Sequence, residues 1–154
     1  EGGLDVASQL DRVREVAQRL RDAGIVVSAF IDALPAQAEA CAQAGVQVCE
    51  VHTGPYAHAF HVRGRDAGSP AVVDELRRIA RAGEAIVGLG MRFNAGHALN
   101  YFNVQPVARL PGVRELHIGH AIVSRAMFVG MREAVREMKR LMREAAACGP
   151  SPGV

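Results

Sequence analysis

Side chains that can exchange protons or bind anions recur at the ends of the apolar runs of this 154-residue chain. They combine carboxylate, amide and imidazole groups: Asp32, Glu50, His52, Asn94, His97, His117 and His120. A histidine at such a position can donate or accept a proton near neutral pH, and a carboxylate can stabilise a positively charged intermediate. The residue types therefore indicate acid–base chemistry, provided that the fold brings these positions together.

His97 lies in the segment NAGH, directly after the small residues Ala95 and Gly96. These residues allow the backbone to turn tightly, which would leave the imidazole at the end of a strand rather than in a core. There it could act in proton transfer. A histidine after a strand can also serve only as a structural hydrogen-bonding group, and this alternative stays open.

Glu50 lies in the predicted strand VQVCEVH, where side chains alternate between two faces. Val48, Glu50 and His52 share one face, and Cys49 and Val51 share the other. We expect Glu50 to point away from the helix layer, because a carboxylate packed against apolar helices would be unpaired. It could stabilise a cationic imine or other protonated intermediate, or it could pair with an arginine of a neighbouring unit.

Gly119 and His120 begin the segment GHAIVSRA, in which the last predicted strand ends and a helix begins. The N-terminus of a helix offers free N–H groups and the positive end of the helix dipole, and the loops after the last strands of a barrel often bind phosphate. The segment therefore predicts a phosphate site. The alternative is that Gly119 only permits close packing between strand and helix.

A metal site is the competing interpretation of the histidines. The nitrogen and oxygen ligands of a metal-dependent hydrolase could come from Asp32 together with His52, His97, His117 and His120. However, no two histidines have the i, i+4 spacing of a helical metal motif, so we expect no metal. His58 and His61 are expected to be solvated in a long loop.

The periodicity of apolar residues predicts helices and strands in alternation. Predicted strands cover 25–32, 46–52, 91–94 and 113–119, and the first is expected to be buried on both faces. Predicted helices cover 8–23, 35–44, 71–85 and 104–110, followed by a long C-terminal helix whose methionines are expected in the core. A loop is predicted for 53–70, because it is rich in glycine, proline and polar residues.

This order predicts an α/β fold with a parallel sheet. A doubly wound sheet is one option, but polar residues at the end of every strand favour a (β/α)8 TIM barrel, in which those ends share one mouth. About four strands make the C-terminal half of such a barrel. We expect 1–148 to be half of one domain, with 149–154 as a disordered tail.

Composition limits the remaining functional classes. The chain is 49% hydrophobic with a net charge of +2, which suits one globular domain and does not suggest nucleic acid as a partner. No apolar run approaches the roughly 20 residues of a membrane helix, and no signal peptide opens the chain, so no membrane partner is expected. Three cysteines without a CxxC pair predict a cytoplasmic protein. Because the chain starts at Glu1 rather than Met, we expect a fragment of a longer protein.

Several segments together resemble the C-terminal portion of the pyridoxine 5'-phosphate synthase family. They are EGGLDVA, VSAFID, VCEVHTGPYA, FNAGHALNYFNV and ELHIGHAIVSRAMFVGMREAVREMKRLM, and the resemblance extends over 1–144. It implies a cytoplasmic β/α-barrel enzyme that forms higher oligomers. The implied reaction condenses 1-deoxy-D-xylulose 5-phosphate with 3-amino-2-oxopropyl phosphate to form pyridoxine 5'-phosphate, without a metal or an organic cofactor.

The resemblance also implies roles for five residues. Glu50 matches the glutamate that stabilises the charged transition state, and His97 matches the proton donor. Ala98, Gly119 and His120 match positions that hold the phosphate of the amino ketone. The chain departs from the family at Ala98, which is usually glycine, and at His117, which is usually asparagine.

The family's first half has no counterpart in the printed chain. The resemblance places there a general-base histidine and glutamate, arginines for the pentulose phosphate, and a threonine just before EGGLD. Two interpretations therefore stay open: part of a working synthase, or a half-barrel that binds phosphate and is inactive alone. For the isolated half-barrel we expect aggregation or dimerisation, because its strand edges and apolar interior would be exposed.

Overall fold

A computed structural model describes residues 2–149 of the chain. Four strands form one parallel sheet: β1 (Ser28–Ile31), β2 (Val48–His52), β3 (Arg92–Gly96) and β4 (Val113–His117). Their order in the sheet follows their order in the chain. A doubly wound sheet would reverse its strand order at one point, whereas successive strands of a β/α barrel are neighbours throughout. The sheet is therefore consistent with part of a barrel, and the predicted fold class is confirmed.

Helices connect the strands and continue after the last one. A 3-10 turn at Ala7–Gln9 precedes α1 (Leu10–Asp22), α2 (Pro35–Gln43), α3 (Gly54–Val62), α4 (Pro70–Gly88), α5 (Val104–Ala108), α6 (His120–Val129) and α7 (Met131–Ala147). The buried core lies between sheet and helices and includes Ile31, Cys49, Val51, Ile79 and Phe93. None of the helices within 2–149 has the length and apolar character needed to cross a membrane.

The predicted loop over 53–70 is wrong in its first half, where the chain forms α3 (Gly54–Val62). Pro55 lies in the first helical turn, where its missing N–H does no harm. Tyr56 and Phe60, spaced by one turn, are both buried against the rest of the fold. Tertiary burial thus stabilises a helix in a segment whose local composition favours a loop.

Two other expectations need correction. The first strand is shorter than predicted, because Ile25 and Val26 precede the pairing with β2 and are both about half exposed. In the last helix Met138 is buried as expected, but Met131 is 53% exposed because it lies at the start of α7. The predicted tail over 149–154 lies, apart from Gly149, outside the described residues.

Candidate functional site

A cavity of about 770 Å³ opens at the carboxyl ends of the strands. It has the size of a typical small-molecule site. All five residues to which the resemblance assigns roles line it: Glu50, His97, Ala98, Gly119 and His120. His117 lines it as well, whereas Asp32, His52 and Asn94 do not. The five residues come from β2, the turn after β3 and the start of α6. The parallel sheet brings them together because it places the carboxyl end of every strand at one edge.

Glu50 points into this cavity from the middle of β2, as the alternation of side chains predicts. Its Oε2 lies 2.6 Å from Nδ1 of His117 on β4, so its partner is an imidazole rather than an arginine. The carboxylate reaches across β3 at Gly96, where an added Cβ would overlap Oε1 of Glu50. A glycine at this position of β3, the strand between β2 and β4, is therefore required for this geometry of the Glu50–His117 pair.

His117 belongs to a small polar network on the sheet. Its Nε2 lies 3.5 Å from a carboxylate oxygen of Glu115, and the amide of Asn94 donates to that same oxygen at 3.3 Å. Burial lowers the pKa of His117, but the hydrogen bond and charge of Glu50, followed by those of Glu115, outweigh this effect. The pKa of His117 therefore lies above its usual value. The sequence indicates His117 as a strand-end candidate for acid–base chemistry or metal binding, but it does not reveal the pairing with Glu50.

The backbone of His97 is held by the end of β2. The hydroxyl oxygen of Thr53 lies 2.6 Å from the Gly96 carbonyl oxygen and 2.5 Å from that of His97. His97 and Ala98 both have positive φ, at 82° and 57°. The predicted position of the turn is wrong, because Ala95 and Gly96 still belong to β3 and the chain turns just after them. The turn instead contains two successive residues in a backbone region that favours glycine.

The imidazole of His97 contacts two other rings. Its centroid lies 4.9 Å from that of His52 and 6.4 Å from that of Phe30. His52 in turn is paired with Asp32, whose Oδ1 lies 3.1 Å from Nδ1 of the ring. The sequence indicates Asp32 and His52 as acid–base or metal-binding candidates at strand ends, but their direct contact across neighbouring strands is visible only in the fold.

Gly119 and His120 form the N-terminus of α6, and both are exposed. An added Cβ at Gly119 would meet no atom within 4 Å. The alternative that Gly119 serves close packing between strand and helix is therefore wrong. The open space beside Gly119 is compatible with the approach of an anion, and helix N-termini favour anions.

The described part of the chain, 2–149, contains no group of three or more histidine, cysteine, aspartate or glutamate side chains placed to share a metal ion. Two histidine–carboxylate pairs connect the strand ends. Asp32 directly follows β1 and pairs with His52 of the neighbouring strand β2, whereas Glu50 and His117 lie on β2 and β4 with β3 between them. The short nitrogen–oxygen distances of both pairs are those of direct hydrogen bonds.

The fold and the site define a partial β/α barrel whose candidate functional residues meet at the carboxyl ends of its strands. The family model "Pyridoxal phosphate biosynthesis protein PdxJ" matches residues 1–144, and the chain belongs to this family.

Curated relatives carry the name pyridoxine 5'-phosphate synthase. The chain is 72% identical to that protein of Azoarcus sp. (strain BH72), over 96% of this chain and 59% of the relative. It is 70% identical to the one of Aromatoleum aromaticum, over 97% of this chain and 59% of the relative. It is 49% identical to the one of Synechococcus sp. (strain JA-2-3B'a(2-13)), over 92% of this chain and 56% of the relative. The chain thus spans less than two thirds of the length of these relatives.

Proposed function

We propose that the protein containing this chain is a pyridoxine 5'-phosphate synthase. Its reaction would join 1-deoxy-D-xylulose 5-phosphate to 3-amino-2-oxopropyl phosphate, close the pyridine ring, and release phosphate and water. The observation that carries the proposal is the meeting of Glu50, His97 and the Gly119–His120 turn in one cavity. The printed names of the relatives support it.

Glu50 is proposed to stabilise positive charge. Joining an amine to a ketone passes through cationic nitrogen species, and a half-buried carboxylate lowers their energy more than water would. The hydrogen bond from His117 fixes the direction of this carboxylate. The carboxylate therefore needs no large rearrangement when the charge develops.

His97 is proposed to donate protons to the oxygen atoms that leave as water. An imidazole suits this role because its two protonation states are both accessible near neutral pH. The left-handed turn aims the side chain at the cavity, and Thr53 holds the backbone from which it projects.

The N-terminal turn of α6 is proposed to bind the phosphate of the amino ketone. Gly119 lets the anion approach the backbone, and the exposed imidazole of His120 lies beside it. Ala98 borders the same cavity, and its methyl group would narrow the space at a position where the family usually has glycine. No cofactor enters this proposal.

We further propose a cytoplasmic homo-oligomer. Exposed apolar side chains on α6 support the assembly, since Met127 is 81% and Phe128 86% exposed. Large exposed apolar residues in one region are typical of interaction surfaces.

The test is an assay of the protein made from its natural gene, from start codon to stop codon. Incubation with both substrates should yield pyridoxine 5'-phosphate and inorganic phosphate in equal amounts, and His97→Ala should reduce kcat by 100-fold or more. His58→Ala, on the exposed face of α3, is the matched control and should leave kcat unchanged. Absence of product from the wild-type protein would overturn the proposal.

The second candidate is an inactive half-barrel that binds phosphate, and it concerns the 154-residue chain alone. The cavity favours it, because the phosphate-binding candidates Gly119 and His120 line it within the described residues of this chain. We expect this chain to bind inorganic phosphate without turnover. Turnover at the rate of the natural gene product would contradict this expectation.

A further inference from the structure

His52 is a buried titratable residue that the proposed reaction leaves without a role. Only 7% of its surface is exposed, although it is adjacent to the proposed proton donor. Its Nδ1 lies 3.1 Å from Asp32, and its Nε2 is buried without a hydrogen-bond partner among the described residues. A buried polar atom without a partner is uncommon in proteins and often marks a functional region.

The pairing with Asp32 determines which nitrogen of His52 carries the proton. An ionised carboxylate can only accept hydrogen bonds, so Nδ1 of His52 must donate. Oδ1 of Asp32 also accepts the backbone N–H of Gly3 at 2.9 Å, which fixes the carboxylate in place. The neutral ring of His52 therefore has a defined tautomer, with the proton on Nδ1 and a lone pair on Nε2.

The ring of His52 packs edge-to-face against His97, with an interplanar angle of 68°. Phe30 contacts both imidazoles, at 5.1 Å from His52 and 6.4 Å from His97. Gly54 leaves room for both imidazoles. A Cβ at this position would overlap Nε2 of His52 and lie 3.2 Å from Cδ2 of His97. The two imidazoles thus share a space that only a glycine leaves open.

We propose that Asp32, which is half exposed, and the buried His52 form a positioning pair that holds the imidazole of His97 in the orientation it needs for proton transfer. The proposal rests on the proposed function, since it assumes that His97 transfers a proton. Asp32 anchors His52, the His52 ring sets the plane of the His97 ring, and Thr53 holds the His97 backbone. The side chain and the backbone of His97 are therefore both controlled from the end of β2.

The first test compares variants of the natural gene product in steady-state kinetics. Asp32→Ala and His52→Ala should each lower kcat by 10- to 100-fold, because small misplacements of a catalytic group have effects of this order. The KM values of both substrates should change by less than about threefold. Asp32→Asn should retain most of kcat, since an amide oxygen can still accept from Nδ1 of His52 and from Gly3.

His52→Phe is the control for misfolding, because it keeps a buried ring beside His97 but removes the hydrogen bond to Asp32. It should fold with the circular dichroism spectrum of the wild type and show a kcat between those of His52→Ala and the wild type. A kcat for Asp32→Ala within twofold of the wild type overturns the proposal. An Asp32→Asn variant no more active than Asp32→Ala does so as well.

A second test does not depend on activity. In protein labelled with ¹⁵N-histidine, long-range ¹H–¹⁵N spectra should show His52 as the Nδ1–H tautomer in the wild type and in Asp32→Asn. In Asp32→Ala we expect a mixture of tautomers and shifted ring resonances of His97. An Nε2–H tautomer in the wild type, or unshifted His97 resonances in Asp32→Ala, overturns the proposal. If the wild type makes no product, the proposed function fails, and these spectra still decide whether Asp32 and His52 position His97.

Discussion

Replacement of His117 by asparagine should remove a pH-dependent contribution to stability. The protonated imidazole forms an ion pair with Glu50, and the pKa of His117 is raised because this pairing outweighs the effect of burial. An asparagine amide can still donate a hydrogen bond to the carboxylate but carries no charge. The substitution therefore isolates the ionic part of the interaction.

The magnitude follows from the distance and the exposure of the pair. For charges 2.6 Å apart, Coulomb's law gives about 1.6 kcal/mol in a water-like dielectric. The His117 side chain is 43% exposed, so salt and solvent reduce the measurable value to about 1 kcal/mol. A pKa raised on folding means that this stabilisation is fully present below the unfolded pKa of about 6.5 and is lost as the pH rises through the folded value.

The assay is urea unfolding of wild type and His117→Asn at pH 5.5 and pH 9.0. The free energy of unfolding lost through the substitution should be about 1 kcal/mol larger at pH 5.5 than at pH 9.0. Contributions that do not depend on pH cancel in this comparison. His58→Asn, on the exposed face of α3, is the control and should show no such difference. Equal losses at the two pH values would refute the ion pair between His117 and Glu50.

Three further predictions concern substitutions at four positions. Ala98→Gly should raise the free energy of unfolding by about 0.5–1 kcal/mol in urea denaturation. The φ angle of Ala98 is 57°, and the relief of this backbone strain exceeds the entropic cost of glycine. A loss of stability would contradict this prediction. Gly119→Ala should leave the melting temperature unchanged but weaken binding of inorganic phosphate in calorimetry. Gly96→Ala should destabilise the fold by about 1–3 kcal/mol, because its Cβ would displace the Glu50 carboxylate and also lie 3.1 Å from the carbonyl oxygen of His117, which strand pairing holds in place. Equal effects of these two substitutions on melting would count against both assignments. Tyr56→Phe should cost about 1–3 kcal/mol in thermal unfolding, because a buried backbone carbonyl loses its 2.8 Å hydrogen bond, and a change below 0.5 kcal/mol would contradict that assignment.

The two histidine–carboxylate pairs lie in different parts of the site. Glu50 and His117 face the cavity, where charge would develop during the proposed reaction. Asp32 and His52 lie at the adjacent strand ends, and the buried His52 ring contacts His97. Substitutions in the first pair should therefore affect electrostatic stabilisation, while those in the second should affect the placement of His97.

Local sequence patterns were sufficient for most of the secondary structure and for the family. Apolar residues at helical spacing and short β-branched runs depend on neighbours within a few residues, so they can be read along the chain. The same holds for the alternation in β2, which correctly predicts that Glu50 points away from the helix layer. The segment GHAIVSRA likewise predicts the start of α6, whereas the turn expected at Ala95 and Gly96 forms at His97 and Ala98.

Contacts between segments that are distant in the sequence decided α3 and the two histidine–carboxylate pairs. The helix α3 forms because Tyr56 and Phe60 become buried, which composition does not reveal. The pairing of Glu50 with His117 depends on two strands separated by β3, and it requires a glycine between them. In the same way, Asp32 and His52 are 20 residues apart and meet only because β1 and β2 are parallel neighbours. Hydrogen bonds of this kind are set by strand register and by burial, which are properties of the folded chain rather than of any one segment.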